Sequence, residues 1–335
     1  MKTLRAAVIG LGVGEQHIAG FNAHPGCKVT AVCDFAEEKR KMASERYSGI
    51  RVCEDAADVL EDSSIDIVSV ASYDNYHYEQ IIAAIENGKH IFVEKPLCLY
   101  EKQAFDIKRR LDERPELKIS SNLILRKSRR FIELKGLVDS GEFGRISYID
   151  GDYNYGRMHK ITEGWRGKID FYSVVYGGAI HLLDLMCWLS GDRIAEAAAY
   201  GNRIASEGTQ YRYNDIVSSV FRFEGGSTGK VSSNYSCVYP HFHRLNVYGT
   251  KASFVNEFEY GKLYRSRDPE SAPEKIKTEY PGVKKGDLLY NFVESIVNDT
   301  EPEVSKKDVF DIMSVCFAIE KSMKEGKPIE VNYMT

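Results

Sequence analysis

Three glycines, an aspartate, a lysine and a histidine carry most of the chemistry open to this sequence. The stretch VIGLGVGEQH, residues 8 to 17, sets Gly10 and Gly12 two apart after an apolar run. A glycine turn between a strand and a helix brings backbone close to a pyrophosphate, held at the helix N-terminus. The fingerprint of such a turn is G-x-G-x-x-G. Here Glu15 stands where the third glycine belongs, and Gly14 comes one place early. Gly10, Gly12, Val13 and Gly14 are the candidate phosphate contacts. Asp34 ends the run VTAVCD, twenty-four positions after Gly10. A carboxylate there accepts hydrogen bonds from ribose hydroxyls and repels a 2′-phosphate. The expected cofactor is NAD rather than NADP, and Arg40 lies too far along the next helix to reverse that.

Two further groups could move a proton. Lys95 in VEKPL follows the run KHIFV, and ligands of parallel sheets bind just past such strand ends. Glu94 and Pro96 on either side set its direction. A surface lysine in a turn is an equal reading on chemistry alone. His181 lies in GGAIHLLDLMCWLSG, with Asp184 three places on and able to share its helix face. An apolar helix also accommodates a core histidine. The loop YGRMHKITEGWRG, residues 155 to 167, crowds His159, Lys160, Trp165 and Arg166 together. Arginine forks and a tryptophan face suit a polyhydroxylated or phosphorylated ligand, and an ordinary polar loop has the same composition. Asn122 and Arg126 would face the same ligand.

The elements that must position these groups fall into two patterns. LRAAVIG, CKVTAVCD, IDIVSVAS and KHIFVEKP are short, nearly continuous apolar runs, as strands buried on both faces are. Helical patterns separate them: EQHIAGFNAH, EEKRKMASERY, EDAADVLED and EQIIAAIENG. In the last, Ile81, Ile82 and Ile85 form a stripe, and Asn87-Gly88 is a stop. Repeated β-α-β of these lengths predicts a doubly wound parallel sheet.

From about residue 120 the pattern changes. RFIELKGLVDSG reads as a helix, RISYIDGDYNYG as a strand with one exposed face, and GGAIHLLDLMCWLSG as a helix closed by Ser190-Gly191. IVSSVFRFEGG, STGKVSSNYSC, HRLNVYGT and ASFVNEF follow at hairpin-like intervals. Their apolar and aromatic residues alternate, which predicts a sheet with a face that one domain does not cover. Residues 262–285 are polar, hold three prolines and read as a surface excursion; KDVFDIMSVCFAIEKSMKEG reads as a closing helix. The expected boundaries are 1–121 for a nucleotide-binding domain and 122–335 for an α+β domain with a large open, mainly antiparallel sheet.

Composition sets outer limits. The chain has 335 residues, 43% hydrophobic and 28% charged, with a formal net charge of −4. That size suits two domains, and the balanced charge favours neither nucleic acid nor a membrane surface. The basic clusters KRRLDERPELK and LRKSRRF read as solvated helix faces or local substrate contacts. The seven cysteines include no C-x-x-C pair, so no metal is expected, and they read as buried thiols in a reducing cytoplasm. The N-terminus runs straight into a strand without a signal-like apolar core, and no stretch approaches the length of a membrane span.

The sequence resembles the Gfo/Idh/MocA family, that of glucose–fructose oxidoreductase and inositol dehydrogenase, over nearly its whole length. GKHIFVEKP is very like the family signature whose lysine, here Lys95, sits at the active site. SIDIVSVASYDNYHYEQIIAAIENGKH is similar to the preceding unit, with Ser72, Asn75 and His77 matching a cofactor-side loop and Tyr73 standing where a proline is usual. LVDSGEFGRI, HRLNVYGTKASF and the last helix match family segments. The family turn reads G-x-G-x-x-G-x-x-H; His17 is kept one place early, so the turn here is one residue shorter, with Gly14 in the third glycine's role. The family pattern of an aspartate four before a histidine is matched at His181 but not at Gly177, which leaves Tyr172 or Tyr176 to replace the carboxylate.

The resemblance implies a Rossmann-like first domain, an NAD-dependent oxidoreductase, and pairing into dimers or tetramers. The expected reaction is hydride transfer between NAD and a secondary alcohol of a sugar, nucleotide-sugar or cyclitol. His181 is the expected base and Lys95 the group that hydrogen-bonds the same oxygen, with the two roles exchangeable. Glu94 and Lys95 also count among the cofactor contacts; Tyr172 and Asp184 join the substrate contacts. Two alternatives are an NAD-retaining glycosidase, which would show no net NADH, and a non-catalytic sensor, against which Lys95 and His181 both speak.

Overall fold

The computed structural model describes residues 3–334, which divide into two compact units. The first comprises residues up to 124 together with 284–313; the second holds 125–283 and 314–333. The chain therefore does not divide by a single cut after residue 121. It returns to the first unit and leaves it again within one helix.

The first unit carries strands β1 (Leu4–Ile9), β2 (Cys27–Cys33), β3 (Arg51–Cys53), β4 (Ile67–Val70), β5 (His90–Val93) and β6 (Ile119–Ser121). They form one sheet in the order β3-β2-β1-β4-β5-β6, with every pairing parallel. The order reverses direction next to β1, the switch point where such sheets bind ligands. All four residues of β4 are buried, as the apolar run requires of a strand covered on both faces. Helices α1 (Glu15–Asn22), α2 (Glu37–Arg46), α3 (Ala57–Leu60), α4 (His77–Glu86) and α5 (Glu101–Asp112) connect the strands. In α4, Ile81 and Ile85 are buried while Ile82 is half-buried. The basic run on α5 is a solvated face: Lys108 pairs with Asp112, and Arg109 with Asp106 and Glu113.

The second unit opens with α6 (Arg129–Asp139) and β7 (Ile146–Asn154), then α7 (His159–Thr162) and α8 (Ile180–Ser190). Strands β8 (Ile194–Asn202), β9 (Ile216–Phe223), β10 (Thr228–Asn234), β11 (Phe242–Gly249), β12 (Ser253–Asn256), β13 (Gly261–Tyr264) and β14 (Glu274–Ile276) follow. Helix α9 (Leu289–Val297) belongs to the first unit, α10 (Lys306–Glu325) crosses the division, and β15 (Ile329–Glu330) ends the second. The nine-stranded sheet runs β14-β13-β12-β11-β7-β10-β9-β8-β15, antiparallel except where β10 meets β7. The polar stretch 262–285 is not wholly excursion, since it finishes β13 and supplies β14 at the sheet edge.

The apolar alternation points inward. On β9, Val217, Phe221 and Phe223 are buried, while Ser218, Val220 and Arg222 are exposed. The outer face is mixed rather than apolar: Tyr148 packs on Tyr248, Lys230 and Arg244 flank Asp152, and Asn246 donates to Asp150. LRKSRRF is not a solvated helix face either. Arg130 is fully buried and donates to the Asn256 side chain and the carbonyls of Glu257, Glu259 and Thr278.

Candidate active site

The glycine turn works by contact distance. Gly10 has φ +91°, open to glycine at little cost. A Cβ on Gly14 would lie 2.2 Å from the Gly10 carbonyl oxygen and 2.9 Å from the side chains of Val8 and Ala71. Gly14 thus permits the close helix–strand packing normally assigned to the third glycine, one residue early. Among the described residues the N–H groups of Gly12 and Val13 make no hydrogen bond within the chain. Both residues are exposed at the start of α1. Unsatisfied N–H groups at an exposed helix start fit a pyrophosphate.

Asp34 is buried at the end of β2. Its Oδ2 accepts the Leu11 N–H at 2.7 Å and its Oδ1 the Ala36 N–H at 2.9 Å. The carboxylate therefore ties the turn to β2. Lys39 lies 3.5 Å from the same Oδ2, and its ammonium stands 3.4 Å from the position of a Cβ on Gly12. Sequence reading missed this lysine; its offset of five from Asp34 was the available signal. Arg40 is spent elsewhere, donating to the carbonyls of Asp34 and Phe35 and pairing with Glu54.

Lys95 follows β5 and is half-buried. The buried carboxylate of Glu94 before it accepts the Asn122 amide at 2.6 Å and lies 3.4 Å from His17 Nε2. His17 Nδ1 is 2.7 Å from Ser69 Oγ. Burial works to raise the Glu94 pKa. It is overcome by Lys285, His17 and Lys95, which together hold the carboxyl well below its usual range. Glu94 is thus an ionised anchor beneath Lys95 rather than an exposed cofactor contact.

Asn122 is not exposed for substrate contact: it is fully buried, and its amide donates to Glu94 and to the Lys285 carbonyl. His77, also fully buried, donates from Nδ1 to the Pro96 carbonyl at 2.7 Å, with Nε2 3.3 Å from the Ser72 carbonyl. It braces the loop after β4 against the turn that carries Lys95. Ser72 donates its hydroxyl to Gln80, and Asn75 is exposed.

In the second unit a π-helical turn, Val175–Ala179, leads into α8, a distortion frequent at functional sites. Ser173 starts it, accepting the Val175 N–H and donating to Glu320. His181 is buried and its ring stacks with Tyr153 at 6.1 Å. The two oxygens of Asp184 accept Arg126 Nε at 2.9 Å and Nη2 at 2.5 Å, a buried fork between two of the predicted substrate contacts.

Position 177 is filled by phenols. A Cβ on Gly177 would lie 2.0 Å from Tyr172 Oη and 2.5 Å from Tyr235 Oη. Those oxygens are 3.1 Å apart, and Arg166 Nε donates to Tyr172 Oη at 3.1 Å. Tyr176, the other phenol considered, packs against Phe171 and Phe317. In the loop, Arg166 also covers Trp165 at 4.6 Å, and both side chains are part-exposed. His159 and Lys160 are exposed at the start of α7. Tyr153, Tyr155, His241 and His243 form an aromatic group beside Tyr235 that sequence reading did not single out.

A family model described as "Oxidoreductase family, NAD-binding Rossmann fold" matches residues 4–121, and the "GFO/IDH/MocA C-terminal domain" model matches 131–255. The chain belongs to the Gfo/Idh/MocA family. It is an NAD-dependent oxidoreductase acting on CH–OH groups. Among relatives, inositol 2-dehydrogenase 2 of Mycolicibacterium vanbaalenii is 29% identical, covering 99% of this chain and 96% of that protein. The scyllo-inositol 2-dehydrogenase (NAD(+)) of Bacillus subtilis is 26% identical over 98% and 96%. Scyllo-inositol dehydrogenase from Lactobacillus casei, solved with NAD(H) and scyllo-inositol, shares the fold at TM-score 0.82 and 19% identity, covering 98% of this chain and 99% of that one. Lys95 falls within the first matched region of the Gfo/Idh/MocA family, and Gly177 and His181 within the second.

Proposed function

We propose that this protein oxidises a secondary alcohol of a cyclitol or sugar-like polyol with NAD, or runs the same reaction in reverse. The observation that carries the reading is Lys95 at the ligand end of β5. It stands over a buried, ionised Glu94, in the unit whose turn leaves N–H groups for a pyrophosphate. The relatives named for inositols support the substrate class.

In this reading NAD, when bound, supplies the hydride acceptor. Gly10, Gly12, Val13 and Gly14 hold its phosphates, Asp34 its ribose, and Ser72 and Asn75 line the cofactor side. Lys95 hydrogen-bonds the alcohol oxygen and stabilises its developing charge. His181 takes the hydroxyl proton as the same carbon gives up its hydride, leaving a ketone. His159, Lys160, Trp165 and Arg166 contact the polyol. The first unit serves as the cofactor domain. The second binds substrate and pairs with another copy through the outer sheet face, where Val220, Tyr148 and Tyr248 lie among charged residues. The seven free thiols, five of them buried, suit a reducing cytoplasm.

The test is a panel of inositols, free sugars and nucleoside-diphosphate sugars scored for NADH formation. Turnover with a cyclitol or free sugar is expected. Oxidation of nucleoside-diphosphate sugars alone, or conversion of a glycoside without net NADH, would overturn the reading.

A further inference from the structure

The buried phenols beside Gly177 are not accounted for by the reaction above. Tyr172 and Tyr235 are 1% and 2% exposed, too enclosed to touch a substrate themselves. Burial, with Tyr172 and Tyr153 nearby, pushes the Tyr235 phenol well above its ordinary value, so it stays a neutral hydroxyl. Each phenol oxygen can accept two hydrogen bonds and donate one. Tyr172 Oη accepts from Arg166 Nε and shares a hydrogen with Tyr235 Oη.

Arg166 is held from two sides. Its guanidinium lies over the Trp165 ring at 4.6 Å and over the Tyr172 ring at 5.8 Å, with Nε fixed by the phenol. A guanidinium held by a stacked ring and an Nε bond has its plane and direction set, which a part-exposed arginine in a loop otherwise lacks. The position one turn before His181 must then be glycine, because even a methyl group would overlap the Tyr172 oxygen.

We propose that Tyr172 and Tyr235 are positioning residues that aim Arg166 at the oxygens of the polyol, and that Gly177 is glycine to make room for them. This rests on the oxidoreductase reading for the identity of the ligand, but not for the phenol–arginine link itself. The pair differs from Arg126–Asp184, where a carboxylate consumes the fork. The Tyr172 hydroxyl holds Arg166 by one nitrogen, where Asp184 holds Arg126 by two.

Two measurements on the full chain test it. The first is the Arg166 Nε–H signal in a nitrogen-resolved NMR spectrum, assigned by its loss in Arg166→Lys. It should be protected from solvent exchange in the wild type and exchange freely in Tyr172→Phe and Gly177→Ala. The second is kinetic, with the alcohol that the panel identifies. Tyr172→Phe should raise KM about tenfold or more, the scale of a hydrogen bond to a charged group, with the NAD Kd and Tm nearly unchanged. Tyr172→Phe and Arg166→Lys together should cost little more than either alone. Unchanged exchange in Tyr172→Phe, or an unchanged KM, overturns the proposal. So does a loss of NAD binding and Tm that follows the loss of activity, which would mark a merely structural role. If the wild type oxidises nothing in the panel while Arg166 Nε–H is protected by Tyr172, the oxidoreductase reading fails and the phenol–arginine link stands.

Discussion

The end of β5 and the approach to α8 hold their reactive side chains by opposite means. Lys95 stands in a field of charge: Glu94 is ionised, buried, and balanced by Lys285 and His17. His181 stands in an aromatic group, stacked on Tyr153 and one turn after Gly177, where the Tyr172 and Tyr235 hydroxyls meet. Both places depend on a glycine whose Cβ would strike an oxygen, Gly14 in one unit and Gly177 in the other. At Gly14 the oxygen belongs to the same turn. At Gly177 it belongs to side chains elsewhere in the sequence, Tyr235 being 63 residues from Tyr172. A charged site is specified by few neighbours and tolerates local variation. An aromatic one needs several shapes to agree.

The largest effects should come from the two reactive groups. Lys95→Ala and His181→Ala are each expected to lower kcat by roughly 10²-fold or more, with NAD binding by fluorescence almost intact. If His181→Ala keeps near-normal turnover, the aromatic site does not supply the base.

The two glycines separate next. Gly14→Ala should destabilise the fold by about 1–3 kcal/mol, because backbone must shift to admit the methyl group. It should weaken NAD binding as well, by isothermal titration. Gly177→Ala should spare NAD affinity and act through the alcohol KM. Equal losses of NAD affinity would erase the distinction between the two regions.

Cofactor choice gives a smaller difference. The wild type should bind NAD at least about tenfold more tightly than NADP, the equivalent of about 1.4 kcal/mol. Asp34→Ala should narrow that gap, and Lys39→Ala should widen it by removing the cation that sits on Asp34. Equal affinities in the wild type contradict the role of Asp34.

The smallest effect is on stability, and it turns on two buried glutamates. Burial, opposed only by the Ser173 hydroxyl, pushes Glu320 from 4.5 up to about 7. The folded chain then holds a proton that the unfolded chain has released. That contribution is full below about pH 4.5 and is lost as pH rises towards 7. Glu94 has the opposite sign: its contribution is present above the ordinary carboxylate pKa and fades only under strong acid. Glu320→Gln should therefore flatten the fall of Tm between mildly acidic and neutral buffer, and Glu94→Gln should not. A Tm that rises over that interval in the wild type but not in Glu320→Gln would reverse the assignment.

These contrasts also mark what was legible in the sequence. The strands β1, β2, β4 and β5 were plain, because burial on both faces writes a continuous apolar run. β3 and β6 have three residues each, too short for any period to show. β13 and β14, at the sheet edge, bury one large apolar side chain each, Leu263 and Ile276, too few for a period to show in polar sequence. The glycine turn and Asp34 were legible because their partners are local. The Arg126–Asp184 fork was not, since nothing in either segment says that the two carry each other's charge. Gly177 registered as a departure from the family pattern with Tyr172 or Tyr176 to fill the gap, whereas Tyr235 comes from another segment of the chain and gave no signal.

The most direct test of the central claim follows the hydride itself. The alcohol found in the panel is prepared with deuterium on its carbinol carbon and incubated with NAD and the wild-type protein. Direct transfer predicts deuterium at C4 of the reduced nicotinamide, one per ketone formed, with none in solvent and almost none transferred by Lys95→Ala. Deuterium released to water, or product formed without deuterated NADH, would contradict it.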